Sequence, residues 1–518
     1  MALVGRWFTI DGEGGIVRYV GPVAGGSGEW LGVEWESAGR GKHDGSRDGR
    51  RYFTCRFPQH QDSSGGGSFI RPVARIDWGQ PLMAAVRDRY IADGPAGLEL
   101  ATGNIDGRRG RIEAVGMEQV AAAQADLRSL RVVGAECRRV FGTDAPLDEL
   151  ASVQTLLLCG NFITSWAQAE GILSALPERR LELLDLSDNH LEDMSICSTT
   201  VQTAVDTLRL DGAPLVGWEG AQAAAEACAV RALSLSRCAL GDPAGDFGGW
   251  RQLGELRVCG NQLTSILPFG HLPALEVLDA SGNPGLCAIP PVPAGSFPRL
   301  HTLNIGRTAI ANWASIDALC GIPTLRALVA AHTPLADGDP HPRTQLVARL
   351  PHVATVDRSI VAPAERTELE RHYLSLCAAA TAAAGATGDA LVPAMAERFP
   401  RIAVLVAAHG APRVAPVESR LRARLAETAI EIARGIGPDD APLAVHTRPL
   451  IRTMLVRQLR ALAARLAGQR PGPVALYLRS DSAGAAWTPM DTDARPLAFY
   501  GLDAGCTVRA VIGSRDQT

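Results

Sequence analysis

Lysine is almost absent from this chain. Of its 51 basic residues only Lys42 is a lysine, and all the others are arginine. The question is what an ammonium does at that position that a guanidinium cannot. Other absences narrow the field. No run of 18 apolar residues occurs, so no transmembrane helix is expected. The opening stretch MALVGRWFTIDGEGG lacks the apolar core of a signal peptide, so export is not expected. The eleven cysteines are scattered, odd in number and free of CxxC pairs. They read as reduced thiols of a cytosolic protein, not as a disulfide framework or a zinc site. Cys159 and Cys259, in LLCGN and RVCGN, are expected to be small buried residues of a repeat. The net charge of -4 gives no whole-molecule field that points to nucleic acid or to an acidic membrane.

Catalytic signatures are missing too. A glycine-lysine pair at Gly41-Lys42 raises the question of a phosphate-binding loop. That motif needs glycine where Glu36 stands and serine or threonine where His43 stands. There is no HExxH and no GxSxG, and the eleven histidines show no ligand spacing. No enzyme, metal or cofactor is expected.

What is present divides into regions of different grammar. At 518 residues, with 46% apolar and 20% charged, the chain has globular composition and room for roughly three or four domains. Residues 1–80 are glycine-rich. GGIVRYVG, EWLGVEWES, RRYFTC and SFIRPV read there as strands of a small, mostly antiparallel barrel or sandwich. QDSSGGGS, 61–68, reads as a flexible loop within it. Residues 81–120 read as a connector and as the N-terminal cap of the middle region.

The middle carries the frame L-x-x-L-x-L-x-x-N. It is clear from Val153, Leu181, Leu253 and Leu275, and degenerate from Leu127, Val205, Val230, Leu300 and Leu325. Steps of 22 to 28 residues are leucine-rich-repeat spacing, so 121–376 is expected to be an α/β solenoid with a C-terminal cap. Alternate positions such as Leu184 and Leu186 point into its core. Asn161, Asn189, Asn261 and Asn283 are expected to bond the backbone of adjacent turns, with Cys238 in the same place in its own copy. Asp185, Arg209, Ser234, Arg257, Asp279, Asn304 and Val329 form an expected exposed row along the concave face. Such polar variety suits a protein partner, or simply solvent.

After a linker at 377–394, residues 395–518 read as strand (RIAVLVAAHG), insert (about 411–440), strand, helix (PLIRTMLVRQLRALAARLAG), strand and strand. That order is expected of an α+β ubiquitin-like roll.

The lysine sits in GRGKHDGSRDGRRYFTC, 39–55. From Arg40 to Arg56 there are six basic and two acidic residues, a local excess of four positive charges. Asp44-Gly45 is a turn pair. Trp30, Trp35, Tyr52 and Phe53 lie nearby. A basic, glycine-lined groove with aromatic walls would hold an extended acidic peptide. Lysine suits a carboxylate in a tight turn, because its ammonium is compact with rotatable donors while guanidinium is a wide planar fork. Taken residue by residue, a turn with solvated charges fits as well.

GGIVRYVG, WLGVEW, GKHDGS, YFTC and GSFIRP, in that order, resemble a CAP-Gly domain over residues 1 to about 75. The resemblance implies binding of acidic C-terminal tails that end in Glu-Glu-Tyr or similar. It implies that Lys42 and His43 contact the tail, that Asp44, Gly45 and Ser46 shape the loop, and that Trp30 and Phe53 wall the groove. The commoner motif has asparagine where this chain has His43. The domain order (CAP-Gly barrel, leucine-rich-repeat solenoid, ubiquitin-like roll) is similar to the tubulin-folding cofactor E family. FYGLDAGCTVRAV near the end resembles that family too. It implies a non-catalytic, cytoplasmic and cytoskeleton-associated chaperone. The implied partners are α-tubulin, other tubulin-folding cofactors and β-tubulin, with no nucleic acid and no membrane. A microtubule adaptor that never remodels tubulin is the alternative.

Overall fold

Alternating burial along the first strands decides how the N-terminal region packs. In a computed structural model of the chain, Trp7–Ile10, Glu13–Gly21, Trp30–Trp35 and Gly67–Ile70 form one antiparallel sheet in that order. The structure describes residues 3–92, 104–105, 108–109, 125–192, 194, 204–412, 425–434, 442–468, 474–479 and 487–512. Breaks within these ranges fall at 38, 58–59, 61–64, 74, 178–179, 216, 246, 248, 387, 452, 491–492, 501 and 503–505. Half of the loop expected at 61–68 therefore lies outside the described residues, and Gly67 and Ser68 belong to the fourth strand. Among the described residues no single helix is long and apolar enough to cross a membrane.

One face of the sheet builds a small core from Phe8, Ile10, Val17, Leu31, Val33, Trp35 and Ile76. The other face presents Trp7, Ile16 and Phe57, which close over Phe162 of the solenoid. So small a barrel buries little apolar surface alone, and docking the second face adds to it. The Trp7 ring stacks on His190 at 3.3 Å. The Thr164 hydroxyl donates to the Gly5 carbonyl at 2.6 Å. Gln80–Pro81 pairs in parallel with Val140–Gly142. The next helix, Leu82–Arg87, buries Leu82, Met83, Ala85 and Val86 in the solenoid core.

The solenoid strands stack in parallel and in strict register. Val133, Leu156, Leu184, Leu208, Leu233, Leu256, Leu278, Leu303, Leu328 and Val356 form one buried column. The first frame is corrected by this register. Val133 sits opposite Leu156, so the copy begins at Leu130, and Leu127 belongs to a 3-10 turn, Leu127–Ser129. A further short strand, Thr355–Val356, ends the parallel stack, and Ser359–Ile360 closes it antiparallel.

The asparagines satisfy the turns between copies. Asn261 Oδ1 accepts from the N–H groups of Cys238 and Leu240 at 3.0 and 3.1 Å, and its Nδ2 donates to Leu235 and Val258 carbonyls at 2.8 and 3.0 Å. Asn161 makes the same set of bonds one end earlier. Asn189 and Asn283 repeat the donor half of it, and their Oδ1 atoms accept the N–H groups of Ile163 and Leu263 at 3.2 and 3.0 Å. The Cys238 thiol reaches the Leu210 carbonyl at 3.1 Å. Cys159 and Cys259 are only half-buried, because they precede the buried asparagine by two residues on the turn. On the concave row Ser234 is buried, its hydroxyl donating to Asp211 at 2.6 Å. At the far end Pro363 opens a helix to Ala383. Arg343 pairs with Glu365 there, and Arg366 donates to the carbonyls of Val347 and Leu350, which closes the last turn.

The chain forms two compact units, Met1–Leu374 with Ala396–Leu405, and Ser375–Met395 with Val406–Thr518. The second holds a five-stranded sheet in the order Pro442–Ile451, Leu425–Arg434, Thr507–Ile512, Val474–Arg479, Thr488–Pro489. Its central pair is parallel, and the helix Val456–Leu466 packs on the sheet. This is the expected ubiquitin-like roll with its elements reassigned. Ile402–His409 of RIAVLVAAHG is a helix, with Ile402 and Leu405 buried at helical spacing. The first strand is Leu425–Arg434, inside the span expected to be an insert. Its Thr428, Ile430 and Ile432 alternate into the core. Residues 413–424 and 435–441 of that span lie outside the described residues. The expected linker, 377–394, is largely helical: the helix from Pro363 runs into it as far as Ala383, and Leu391–Arg398 begins in it and runs past its end.

Burial of His190 under Trp7 pushes its pKa down to about 4. The unfolded chain takes the proton near the ordinary value of 6.5, and the folded chain refuses it. Stability present above pH 6.5 is therefore lost as pH falls toward about 4, by on the order of 3 kcal/mol. His190→Phe keeps a ring against Trp7 and has nothing to titrate. Thermal unfolding of this variant between pH 4 and 7 should fall less steeply with acid than the native chain; equal slopes would contradict the account.

Candidate functional site

The Lys42 loop is clipped to the last strand of the barrel by its backbone. The N–H groups of Lys42 and His43 donate to the Gly67 carbonyl at 2.7 and 3.1 Å, and the Gly67 N–H donates to the His43 carbonyl at 2.6 Å. The chain then turns sharply. Asp44 Oδ1 accepts the Ser46 N–H at 3.0 Å, and this bond is the main reason its carboxyl titrates below the usual range. Gly45 has φ +93°, and its carbonyl accepts the Tyr52 N–H at 3.0 Å. A Cβ on Gly45 would lie 2.1 Å from the Phe53 carbonyl oxygen, so only glycine fits the turn. Arg51 bonds the Asp44 carboxylate at 2.7 Å and braces the loop from outside.

The imidazole of His43 is part of this turn. Its Nδ1 accepts the Gly45 N–H at 3.0 Å, which places the ring proton on Nε2 and leaves that nitrogen as a donor. Burial lowers its pKa, with Arg47 acting in the same sense and Asp44 opposing. The ring stacks on Phe69, centroids 4.7 Å apart, and Phe53 meets both rings edge-on. Tyr52 and Tyr19 extend the aromatic row.

Above this floor lies an open cavity of about 510 Å³ lined by Trp35, Arg40, Lys42, His43, Arg47, Ser68, Phe69 and Ile70. The guanidinium of Arg40 is engaged by Glu13 and sits 4.1 Å over the Trp35 ring. Arg47 is near Asp48 at 3.8 Å. Lys42 is exposed, and among the described residues its ammonium has neither a hydrogen bond nor an ion pair. A mobile cation beside a donor imidazole and an aromatic floor can take a carboxylate with an apolar neighbour.

Of the residues singled out from sequence, Lys42 and His43 line the cavity, while Asp44, Gly45 and Ser46 make the turn beneath them. Phe53 is 7% exposed and supports His43 and Phe69 from below. Trp30 lies at the start of its strand with the Arg71 guanidinium 3.9 Å over its ring, and is not in the cavity lining. Phe69, Ser68 and Ile70 come from the strand Gly67–Ile70, which the sequence pattern marks only as a strand. The outward phase of Phe69 in GSFIRP, two residues after the glycine that receives the loop, is the signal that could have found it.

The family model described as "CAP-Gly domain" matches residues 4–74. The chain is 30% identical to Tubulin-specific chaperone E of Danio rerio, over 97% of this chain and 97% of that protein. It is 26% identical to Tubulin-specific chaperone E of Mus musculus, again over 97% of each. Among solved structures it matches the C-terminal ubiquitin-like domain of mouse tubulin-specific chaperone e. That match has 17% identity and a TM-score of 0.16, and covers 18% of this chain and 93% of that one.

Gly45 and Gly39 offer a matched comparison, because nothing lies within 4 Å of a Cβ at Gly39. Gly45→Ala should destabilise the barrel by about 1–3 kcal/mol, and Gly39→Ala should leave it within about 0.5 kcal/mol of the native chain. Urea unfolding followed by tryptophan fluorescence measures both; equal midpoints would refute the turn's dependence on glycine.

Proposed function

The chain belongs to the tubulin-specific chaperone E family, and from that premise we propose that it is a cytoplasmic tubulin-folding cofactor that holds α-tubulin by its acidic C-terminal tail and by its folded body. In this reading it acts without catalysis in the assembly and dissociation of the αβ-tubulin heterodimer, together with other cofactors. The observation that carries the tail contact is the unengaged ammonium of Lys42 at the mouth of an aromatic-floored cavity.

The chemistry follows from the cavity lining. The terminal carboxylate of the tail meets the Lys42 ammonium and the Nε2–H of His43. An aromatic or apolar last residue lies on Phe69, over the support of Phe53. Arg40 and Arg47 face the preceding glutamates, with Trp30 and its Arg71 at the edge. Asp44, Gly45 and Ser46 set the loop and do not touch the ligand. The concave row of the solenoid, Asp185, Arg209, Arg257, Asp279 and Asn304, meets the folded body. The ubiquitin-like roll docks a further partner. Contacts that are weak singly gain from being joined on one chain.

The test mixes the protein with αβ-tubulin heterodimer at low salt, where surface charge is least screened, and follows composition by gel filtration and native gel. The expected result is loss of intact heterodimer and transfer of α-tubulin into a complex with this chain, with a second cofactor added where the pair alone is inert. Stable binding of dimers that stay intact even with that cofactor would replace this reading with the adaptor. In parallel, Lys42→Arg should weaken binding of a peptide ending in Glu-Glu-Tyr roughly tenfold, about 1.4 kcal/mol, by calorimetry. Unchanged affinity would overturn the groove assignment.

A further inference from the structure

The same side chain has a second chemical property. Lys42 is the sole lysine in these 518 residues, so its ε-amine is the only side-chain primary amine available for acylation. The arginines do not substitute for it, because guanidinium keeps its proton at any physiological pH. The neighbouring cations are all arginines, each with an acidic residue near it: Arg51 with Asp44, Arg40 with Glu13, and Arg47 with Asp48. The Lys42 ammonium is exposed and has no partner among the described residues, so acylating it breaks no internal ion pair. The loop it stands on is held by backbone bonds to Gly67 and by the Asp44–Gly45–His43 turn, none of which uses the amine. Acylation can therefore change the cavity without unfolding its walls.

We infer that Lys42 is the chain's single lysine acylation site, taking a small acyl group from a thioester donor, and that acylation and acidic-tail binding exclude each other. The step is balanced. The ammonium gives its proton to solvent, and the free amine attacks the thioester carbonyl carbon. A C–N bond forms, the C–S bond breaks, the attacking nitrogen gives up a second proton, and the leaving thiolate takes it up as the free thiol. Nothing is oxidised or reduced. The product amide has lost the positive charge and keeps one N–H donor where the ammonium had three, and its acyl group occupies the cavity mouth beside His43 and Phe69. Conversely, a carboxylate seated on the ammonium keeps the amine protonated and shielded from the donor. The exclusion rests on the tail-binding reading; the identity of the acceptor does not.

The experiment treats the full chain with acetyl-coenzyme A in mildly alkaline buffer, with and without a saturating peptide ending in Glu-Glu-Tyr. Hydroxylamine then strips acyl groups from thiols, including exposed Cys137 and Cys287, before mapping by mass spectrometry. A single side-chain acetyl on Lys42 is expected. The peptide should slow its formation at least tenfold while leaving acetylation of the α-amine unchanged. Acetylated protein should bind the peptide at least tenfold more weakly. Lys42→Arg should take no stable side-chain acetyl, and its residual peptide affinity should not change on the same treatment. Native-like circular dichroism of the acetylated chain is also expected, and loss of it would contradict the claim that the walls survive. Failure of Lys42 to be acetylated, or failure of the peptide to protect it, overturns the inference. If the untreated chain binds the peptide and the acetylated chain binds it equally, this inference alone falls. If the untreated chain does not bind the peptide, the tail reading falls and takes the exclusion with it.

Discussion

The carboxylate of Glu34 is fully buried in the middle of the barrel sheet, and a buried charge has to be paired. One of its oxygens accepts the N–H groups of Arg56 and Phe57, both at 2.7 Å. The other accepts from Arg18 Nε at 2.7 Å. Arg18 is itself nearly buried, and it uses its remaining donors on Glu192 of the solenoid, Nη2 to Oε1 at 2.7 Å. One side chain thus ends the basic segment that began at Arg40, anchors Phe57 against Trp7, and connects the barrel to the solenoid through a single guanidinium. Without Arg18, the fully buried Glu34 carboxylate would lose its cation, a cost of about 3–5 kcal/mol.

Arginine and lysine divide the electrostatic work in the N-terminal unit. The structural cations are planar forks held in fixed geometry: Arg18 between two glutamates, Arg40 on Trp35, Arg71 on Trp30, Arg51 on Asp44. Arg40 and Arg71 use the flat face of guanidinium, and Arg18 and Arg51 use its directed charge. Lys42 has no such task. An arginine there would bring the same charge, but its fork would compete for Asp44 or for a ring face, as its neighbours do. A compact ammonium on a flexible stem stays available, which is what a transient carboxylate contact requires.

The amount of this that sequence discloses depends on how local the interaction is. The turn at Asp44–Gly45–Ser46 closes within three residues, so its motif is readable. The solenoid is readable because its frame recurs. Its first copy shifts by three residues because Leu127 and Leu130 both satisfy the frame, and only pairing of Val133 with Leu156 separates them. The first C-terminal strand moves because an apolar run such as RIAVLVAAHG fits a helix or a strand, whereas TAIEIA has the period of two that belongs to a half-buried strand. Phe69, Ser68 and Ile70 enter the cavity through backbone pairing at Gly67, more than twenty residues from Lys42, and no local pattern reports that. Arg18 and Glu192 are 174 residues apart, and nothing in either neighbourhood anticipates the pair.

Docking of the barrel matters for any partner that touches both domains. A barrel on a free linker would present the groove at every orientation, and a second contact on the solenoid would then be limited by the effective concentration the linker allows. Here the strand pairing at Gln80–Pro81, the Trp7–His190 stack and the Arg18 bridges join barrel and solenoid within one compact unit. The orientation is settled before binding, so the second contact loses less entropy when it forms. The gain is selective. It goes only to a partner whose tail leaves its body at a place and direction that let the tail reach the cavity while the body meets the concave row. An acidic peptide alone receives none of it. On the proposed reading, discrimination between a free acidic tail and a tail attached to its own folded body would lie in the junction between the domains, with no change to either proposed surface.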